Sequence, residues 1–375
     1  MLKTFKFRIY PTKKQSRLLD STLEQCRWLF NHLLAERKTA YKEHGENVTC
    51  FEQQATFAYL KEQLRPTLAS VHSQLLQNVA VRVDLGIKAF FRRVKAGEKP
   101  GYPRFKGFGR YDSFTFPQMP SGCNLQNGRL YVSKVGHLKI TQHRPIEGEA
   151  KTATLTRSST GKWYVCFAVE VEPKRLSKKD NPVGIDVGLK TFATLSDATE
   201  IENPRFFRSE EKELAKAQRK LAKAEKGTKE RRKKRKVVAR VHERIKFKRD
   251  NFSHQHSRKI VDGYGVICVE DLHVNRMLHN HCLAKSISDA AWSGFFGMMF
   301  YKAAEAGRIL IKINPAYTSQ DCSGCGHRQK MPLAERVYSC PCCNLQLDRD
   351  LNASLNILRI GLDSLSNQSV EATPL

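Results

Sequence analysis

The chain begins with strict alternation: Phe5, Phe7 and Ile9 are separated by Lys6 and Arg8. This predicts a half-buried strand over residues 2–9, ended by Pro11. Thr12 and Gln15 then have the spacing of a capping box, in which hydroxyl and amide satisfy free backbone donors at a helix start. Leu18, Leu19, Leu23, Trp28, Leu29, Leu33 and Leu34 follow at helical spacing. Further helical stretches are expected near 52–64 and 70–95, the second carrying Val71, Leu75, Val79, Val83, Ile87, Phe90 and Phe91. The segment PGYPRFKGFGR (100–110) breaks the pattern and reads as loop. Period-two runs at 113–117, 129–135, 137–141, 152–156 and 163–171 then predict strands. A strand, a helical block and several strands together predict a small β-barrel interrupted by a helical insertion.

EPKRLSKKDNP (172–182) has the composition of a linker. After it, VGIDVGLKTFATLS (183–196) predicts two buried strands joined by a glycine-containing turn. Residues 205–249 predict a long charged helix, and YGVICVE (264–270) an apolar strand ending in an acid. ISDAAWSGFFGMMFYKAAEAGR (287–308) predicts one helix capped by Ser288, and ILIKI (309–313) a strand. A short helix is expected over LNASLNILRI, and beyond it nothing signals packing.

Charge narrows the function. Lys+Arg number 65 against 37 Asp+Glu in 375 residues, a net charge of +28. Such an excess points to a polyanionic partner, foremost nucleic acid. Half of it, +14, lies in residues 205–249, where RRKKRK (231–236) carries one sign only. We therefore read Arg231, Arg232, Lys233, Lys234, Arg235 and Lys236 as phosphate contacts. Arg104 and Lys106 in the basic loop are candidates of the same kind. No run of 18 uncharged apolar residues and no signal-peptide pattern is present, so a cytoplasmic, nucleoid-associated protein without membrane contact is expected.

Eleven cysteines, five of them near the C-terminus, favour a metal site over a disulfide framework. Cys322-x2-Cys325 and Cys340-x2-Cys343 form two knuckles that complete a four-thiolate structural zinc site. Cys342 is an alternative to Cys343, although the symmetrical gap favours Cys343, and iron would fit the same four ligands.

Three acids stand at the ends of apolar elements. Asp186 interrupts Val-Gly-Ile-Asp-Val-Gly, Glu270 closes Val-Ile-Cys-Val, and Asp348-Arg349-Asp350 opens the last helix. A buried carboxylate without a partner is costly. We assign Asp348 to capping and Asp350 to the inward position. In this order Asp186, Glu270 and Asp350 match an RNase H-like nuclease core, whose hard oxygen ligands suit Mg2+ or Mn2+.

VGIDVGLKTFA, VEDL, SISDAAW with YKAAEAGR, CSGCG, YSCPCC and DRDLNASLNIL together closely resemble the insertion-sequence-encoded TnpB (OrfB) family. FRIYPTKKQ and GYPRFK resemble the same family, so the likeness spans nearly all of residues 1–360. The resemblance implies an RNA-guided DNA endonuclease related to type V CRISPR effectors, with its RuvC-like triad on Asp186, Glu270 and Asp350. It also implies a guide RNA from the element's own end and a double-stranded DNA target read beside a short motif, with Ser73, Gln77 and Asn78 as candidate readers. A monomer is expected. Asn344 and Ser354 depart from the family's glycine and alanine.

The expected fold is α/β plus β and bilobed. Residues 1–172 form a wedge-like β-barrel with a helical recognition insertion at about 12–95. Residues 183–360 form an RNase H-like RuvC nuclease domain, with a zinc-knuckle insertion at 318–347. A disordered tail is expected over 361–375. Two other functions fit the same chain: a transposase acting directly on element ends, and a nuclease-silent RNA-guided DNA-binding repressor, which the three intact acids disfavour.

Overall fold

The computed structural model describes residues 1–332 and 335–371, with side chains through Ser366. The chain divides into two compact units, Met1–Glu172 and Pro173–Leu375.

In the first unit, β1 (Leu2–Tyr10) leads into a helical block. This consists of α1 (Lys13–His44), the short α2 (Cys50–Ala55) and α3 (Phe57–Tyr59), a π turn at Leu60–Leu64, a 3-10 turn at Pro66–Ser70 and α4 (Ser73–Lys95). Thr12 and Gln15 form the expected reciprocal capping box at the start of α1. Six strands follow: β2 (Ser113–Phe116), β3 (Cys123–Gln126), β4 (Arg129–Val132), β5 (Gly136–Thr141), β6 (Glu149–Arg157) and β7 (Trp163–Glu170). With β1 they make an antiparallel sheet of order β2-β6-β7-β1-β5-β4-β3. Phe5, Phe7 and Ile9 of β1 and Val165, Phe167 and Val169 of β7 point into one core with Leu19, Leu29 and Leu33 of α1 and Leu75, Val79 and Val83 of α4. The sheet is nearly closed. Its edges converge where a Cβ at Gly122 would meet the Phe116 ring at 2.8 Å, yet no ladder joins β2 to β3 among the described residues.

The second unit carries β8 (Pro182–Val187), β9 (Thr191–Leu195), β10 (Glu200–Glu202), α5 (Phe206–Ala222), α6 (Lys229–Gly263), β11 (Val266–Glu270), α7 (Val274–Met277), α8 (Ala284–Ala290), α9 (Trp292–Ala306), β12 (Ile309–Ile313), β13 (Val337–Ser339), β14 (Gln346–Asp348) and α10 (Arg349–Glu371). Its main sheet has the order β10-β9-β8-β11-β12. β8, β9 and β10 pair antiparallel, whereas β11 lies parallel to both β8 and β12. No helix among the described residues is long and apolar enough to cross a membrane.

Four expectations need correction. The single charged helix of 205–249 is two packed helices, because Gly227 turns the chain at φ +92° and Thr228 caps α6. The helix of 287–308 is broken at Ala291, φ +56°, and Ser288 lies inside α8 rather than at a cap. That break lets Asp289 accept from Phe207 N and Arg249 while Trp292, Phe295 and Met299 enter the core. The expected tail is helical through Glu371, since Gly361 packs against Cys268 and lets α10 continue along the sheet; residues 372–375 lie outside the described residues. Two short polar strands, β3 and β10, carry too little alternation to be read from sequence.

Candidate metal and nucleic-acid site

Two glycine contacts seat α10 on the second sheet. A Cβ at Gly184 of β8 would lie 2.1 Å from the Ser354 carbonyl oxygen, and one at Gly361 would lie 2.3 Å from Cys268 Sγ of β11. Only hydrogen at these two positions permits so close an approach. Gly184 and Cys268 are register partners. Two residues along each strand, on the same face, stand Asp186 and Glu270. Asp350 lies one turn before Ser354 on α10, and its Oδ2 is 3.9 Å from a Cβ built at Gly188. Sheet register and helix docking therefore bring three sequence-distant carboxylates to one place.

Electrostatics report the same proximity. Asp186 is pushed up to about 8, first by burial and then by the charges of Glu270 and Asp350, with Arg349 and the Val187 N–H pulling the other way. Burial also raises Glu270, opposed by a hydrogen bond from Thr318. Three mutually repelling acids in a poorly solvated cleft call for positive charge. Part of it comes from the chain: Arg349 reaches Asp350 at 3.3 Å and Arg336 at 3.6 Å. Asp348 Oδ1 accepts from the backbone N–H of Asp350 and Leu351 at 2.8 and 3.2 Å, which is the capping assignment made from sequence.

The cysteine module is tighter. Sγ atoms of Cys322, Cys325, Cys340 and Cys343 all lie within 4.8 Å of one another. Cys322–Cys343 and Cys325–Cys340 are each 3.6 Å apart. A tetrahedral ion with bonds of about 2.3 Å has ligand-to-ligand edges of about 3.8 Å, so four thiolates here fit zinc. Cys342 is exposed and outside this group. Although burial raises the Cys340 thiol, the N–H groups of Cys343 and Cys342 together with the Cys325 and Cys322 side chains bring it below the usual thiol range. Gly326 turns at φ +77°, and Asn344 stands at φ +59°, a conformation asparagine tolerates better than most residues, which accounts for its replacing a glycine. The carboxylates are not among the groups gathered within that 4.8 Å limit.

The predicted nucleic-acid residues differ in their surroundings. Ser73 and Gln77 are exposed and Asn78 half-buried at the start of α4, and none makes a side-chain hydrogen bond among the described residues. Lys106 has its backbone anchored to α1, its N–H donating to Asn31 at 2.7 Å and its carbonyl accepting from Arg27 at 2.9 Å. This leaves the Arg104 and Lys106 side chains exposed, beside a 440 Å³ cavity also lined by Arg82, Arg93 and Arg110. On α6, Lys233, Arg235 and Lys236 are exposed. Lys234 pairs with Glu230 at 3.1 Å, and Arg232 lies 3.5 Å from Gly227 O. Arg231 is occupied otherwise: its guanidinium donates to Leu221 O and Ala224 O, closing the end of α5. Sequence reading missed Thr318, Arg336 and Arg349; only the last, flanked by two acids, carries any local signal.

Comparison with known proteins gives this geometry a lineage. Residues 165–281 match the OrfB_IS605 family, described as "Probable transposase", and residues 292–357 match the Cas12f1-like TNB domain. Residues 1–46 match a family described as "Helix-turn-helix domain", a segment that here is β1 and the single helix α1. A Streptomyces pristinaespiralis protein named "Putative RNA-guided DNA endonuclease" is 34% identical, covering 96% of this chain and 89% of its own. An Escherichia coli K12 protein named in the same terms is 29% identical over 96% of this chain and 92% of its own. In fold, the chain is similar to Cas12f1 from a Cas12f1-sgRNA-target DNA complex, with a TM-score of 0.57 at 16% identity, covering 95% of this chain and 98% of that one. It is also similar to the mini-RNA-guided endonuclease CRISPR-Cas_phi3, with a TM-score of 0.52 at 10% identity, covering 96% and 92%. With sequence likeness running along almost its whole length and an effector-like fold in both units, the chain belongs to the TnpB (OrfB) family, related to type V CRISPR effectors.

Proposed function

We propose that this protein is an RNA-guided DNA endonuclease of a transposable element, which cuts target DNA beside a short motif. The observation that carries the reading is the meeting of Asp186, Glu270 and Asp350 where α10 crosses β8 and β11. The strand order, antiparallel through β10-β9-β8 and parallel through β8-β11-β12, agrees with an RNase H-like, RuvC-like frame. In this reading Asp186, Glu270 and Asp350 would hold Mg2+ or Mn2+, which would supply the charge that activates water and steadies the leaving oxygen of a phosphodiester. The chain's own part is to hold the carboxylates in register and to keep Asp350 oriented through Arg349 and Arg336. Cys322, Cys325, Cys340 and Cys343 hold a structural Zn2+ with no open position for chemistry.

Guide RNA from the element's own end pairs with the target strand, while protein reads the adjacent duplex. Ser73, Gln77 and Asn78 are the candidate readers in this account: hydroxyl and amide side chains suit base edges, and none of the three makes a side-chain hydrogen bond among the described residues. Lys233, Arg235, Lys236, Arg104 and Lys106 supply phosphate contacts.

The test is to express the full chain with its flanking DNA and sequence the RNA that copurifies. One abundant species from the gene's 3′ flank, and Mg2+-dependent breakage of a matching duplex, are expected. Strand transfer of element-end DNA by the purified protein without RNA would instead establish the transposase reading.

A further inference from the structure

Thr318 lies between β12 and the first cysteine pair and is buried. Its hydroxyl donates to Glu270 Oε1 at 2.7 Å, with Pro315 O farther away at 3.2 Å. The Thr318 carbonyl accepts from Asn356 Nδ2 at 2.9 Å, and the same amide donates to Asp321 O at 2.6 Å. One turn earlier on α10, Asn352 Nδ2 donates to Asp321 O at 2.8 Å and its Oδ1 accepts from Ser323 N at 2.9 Å. Both asparagines are fully buried. They follow Asp350 by two and six residues on the same helix. The segment running into Cys322 is thus tied to α10, which bears Asp350, and it holds Glu270 through Thr318. Cys322 fixes the far end of the segment inside the thiol cluster.

We propose that Thr318 is a positioning residue for Glu270, and that the cysteine module, through Asn352 and Asn356, fixes the placement of Glu270 relative to Asp350. The inference rests on the nuclease reading, since it takes a divalent cation as the ligand of those acids. A hydroxyl that orients a ligating carboxylate acts on affinity without touching the ion. Losing such an outer partner weakens metal binding by about 10- to 100-fold. The zinc knuckle then serves a site other than its own.

The experiment titrates Mn2+ into the full zinc-loaded chain, reading free Mn2+ by its paramagnetic resonance signal and zinc content by atomic emission. Thr318→Val removes the hydroxyl at nearly constant shape, Thr318→Ser keeps it, and Thr318→Ala is a second deletion should valine not be accommodated. Expected are Mn2+ binding at least tenfold weaker in the valine and alanine variants, near-normal binding in the serine variant, and unchanged zinc in all three. Unchanged Mn2+ affinity in Thr318→Val, or equal losses in valine and serine variants, would overturn the positioning role. An Asp186→Asn control separates the two claims: Mn2+ binding indifferent to Asp186 would remove the nuclease reading and this inference with it.

Discussion

Gly184 of β8 and Ser354 of α10 touch backbone to backbone, so closely that a methyl group on residue 184 would lie 2.1 Å from the Ser354 oxygen. The obstacle is main chain on both sides and cannot rotate away. Gly184→Ala therefore lifts α10 from the sheet, costing about 3 kcal/mol or more, and moves Asp350 away from Asp186. A lower thermal midpoint with loss of Mn2+ binding is expected, measured by calorimetry and cation titration.

Asp186 supplies a pH signature. Its folded value of about 8 stands above the ordinary 3.8, so the metal-free fold holds this proton more tightly than the unfolded chain does. Its contribution to stability is full below about pH 4 and is lost as pH rises through about 8. Asp186→Asn, which cannot ionise, gains stability over wild type across that window and no further above it. Melting of both proteins in chelator at several pH values checks this.

Zinc should be present at one ion per chain. Cys325→Ser should lose it and with it the fold of the cysteine module, for which metal binding supplies on the order of 10 kcal/mol. Cys342→Ser should keep it, because Cys342 stands outside the thiol cluster. Metal analysis of the two purified variants distinguishes the ligand sets left open by sequence.

The basic run on α6 should divide by role. Replacing Lys233, Arg235 and Lys236 with glutamine lowers the salt dependence of nucleic-acid binding, by about one unit of log–log slope for each phosphate that is no longer neutralised. Arg231→Met instead loosens the α5–α6 hairpin, whose carbonyls it closes, and shows itself in thermal stability.

Much of this was legible because the signals are local. The alternation of Phe5, Phe7 and Ile9, the Thr12–Gln15 box and the paired cysteine gaps each need only a few neighbouring residues to be read. Two of the three acids drew notice for a related reason, since Asp186 interrupts and Glu270 closes an apolar strand, where a carboxylate demands an explanation. Asp350, by contrast, opens a helix and has a capping role as its plainer reading. What stayed hidden depends on tertiary contacts. Nothing near Ala291 announces that Asp289 must reach α5 while Trp292 turns to the core, and no composition separates Arg231 from Lys233. Gly361 looked like the edge of a tail, and only its fit against Cys268 shows it to be part of the sheet's packing.

The central claim is tested most directly by single-turnover cleavage with guide-loaded wild type and Asp186→Ala, each given a matching DNA duplex and Mg2+. Wild-type protein should break the duplex, and the variant should hold guide and DNA with near-normal affinity while leaving the strands intact. Cutting by Asp186→Ala at the wild-type rate would contradict the account.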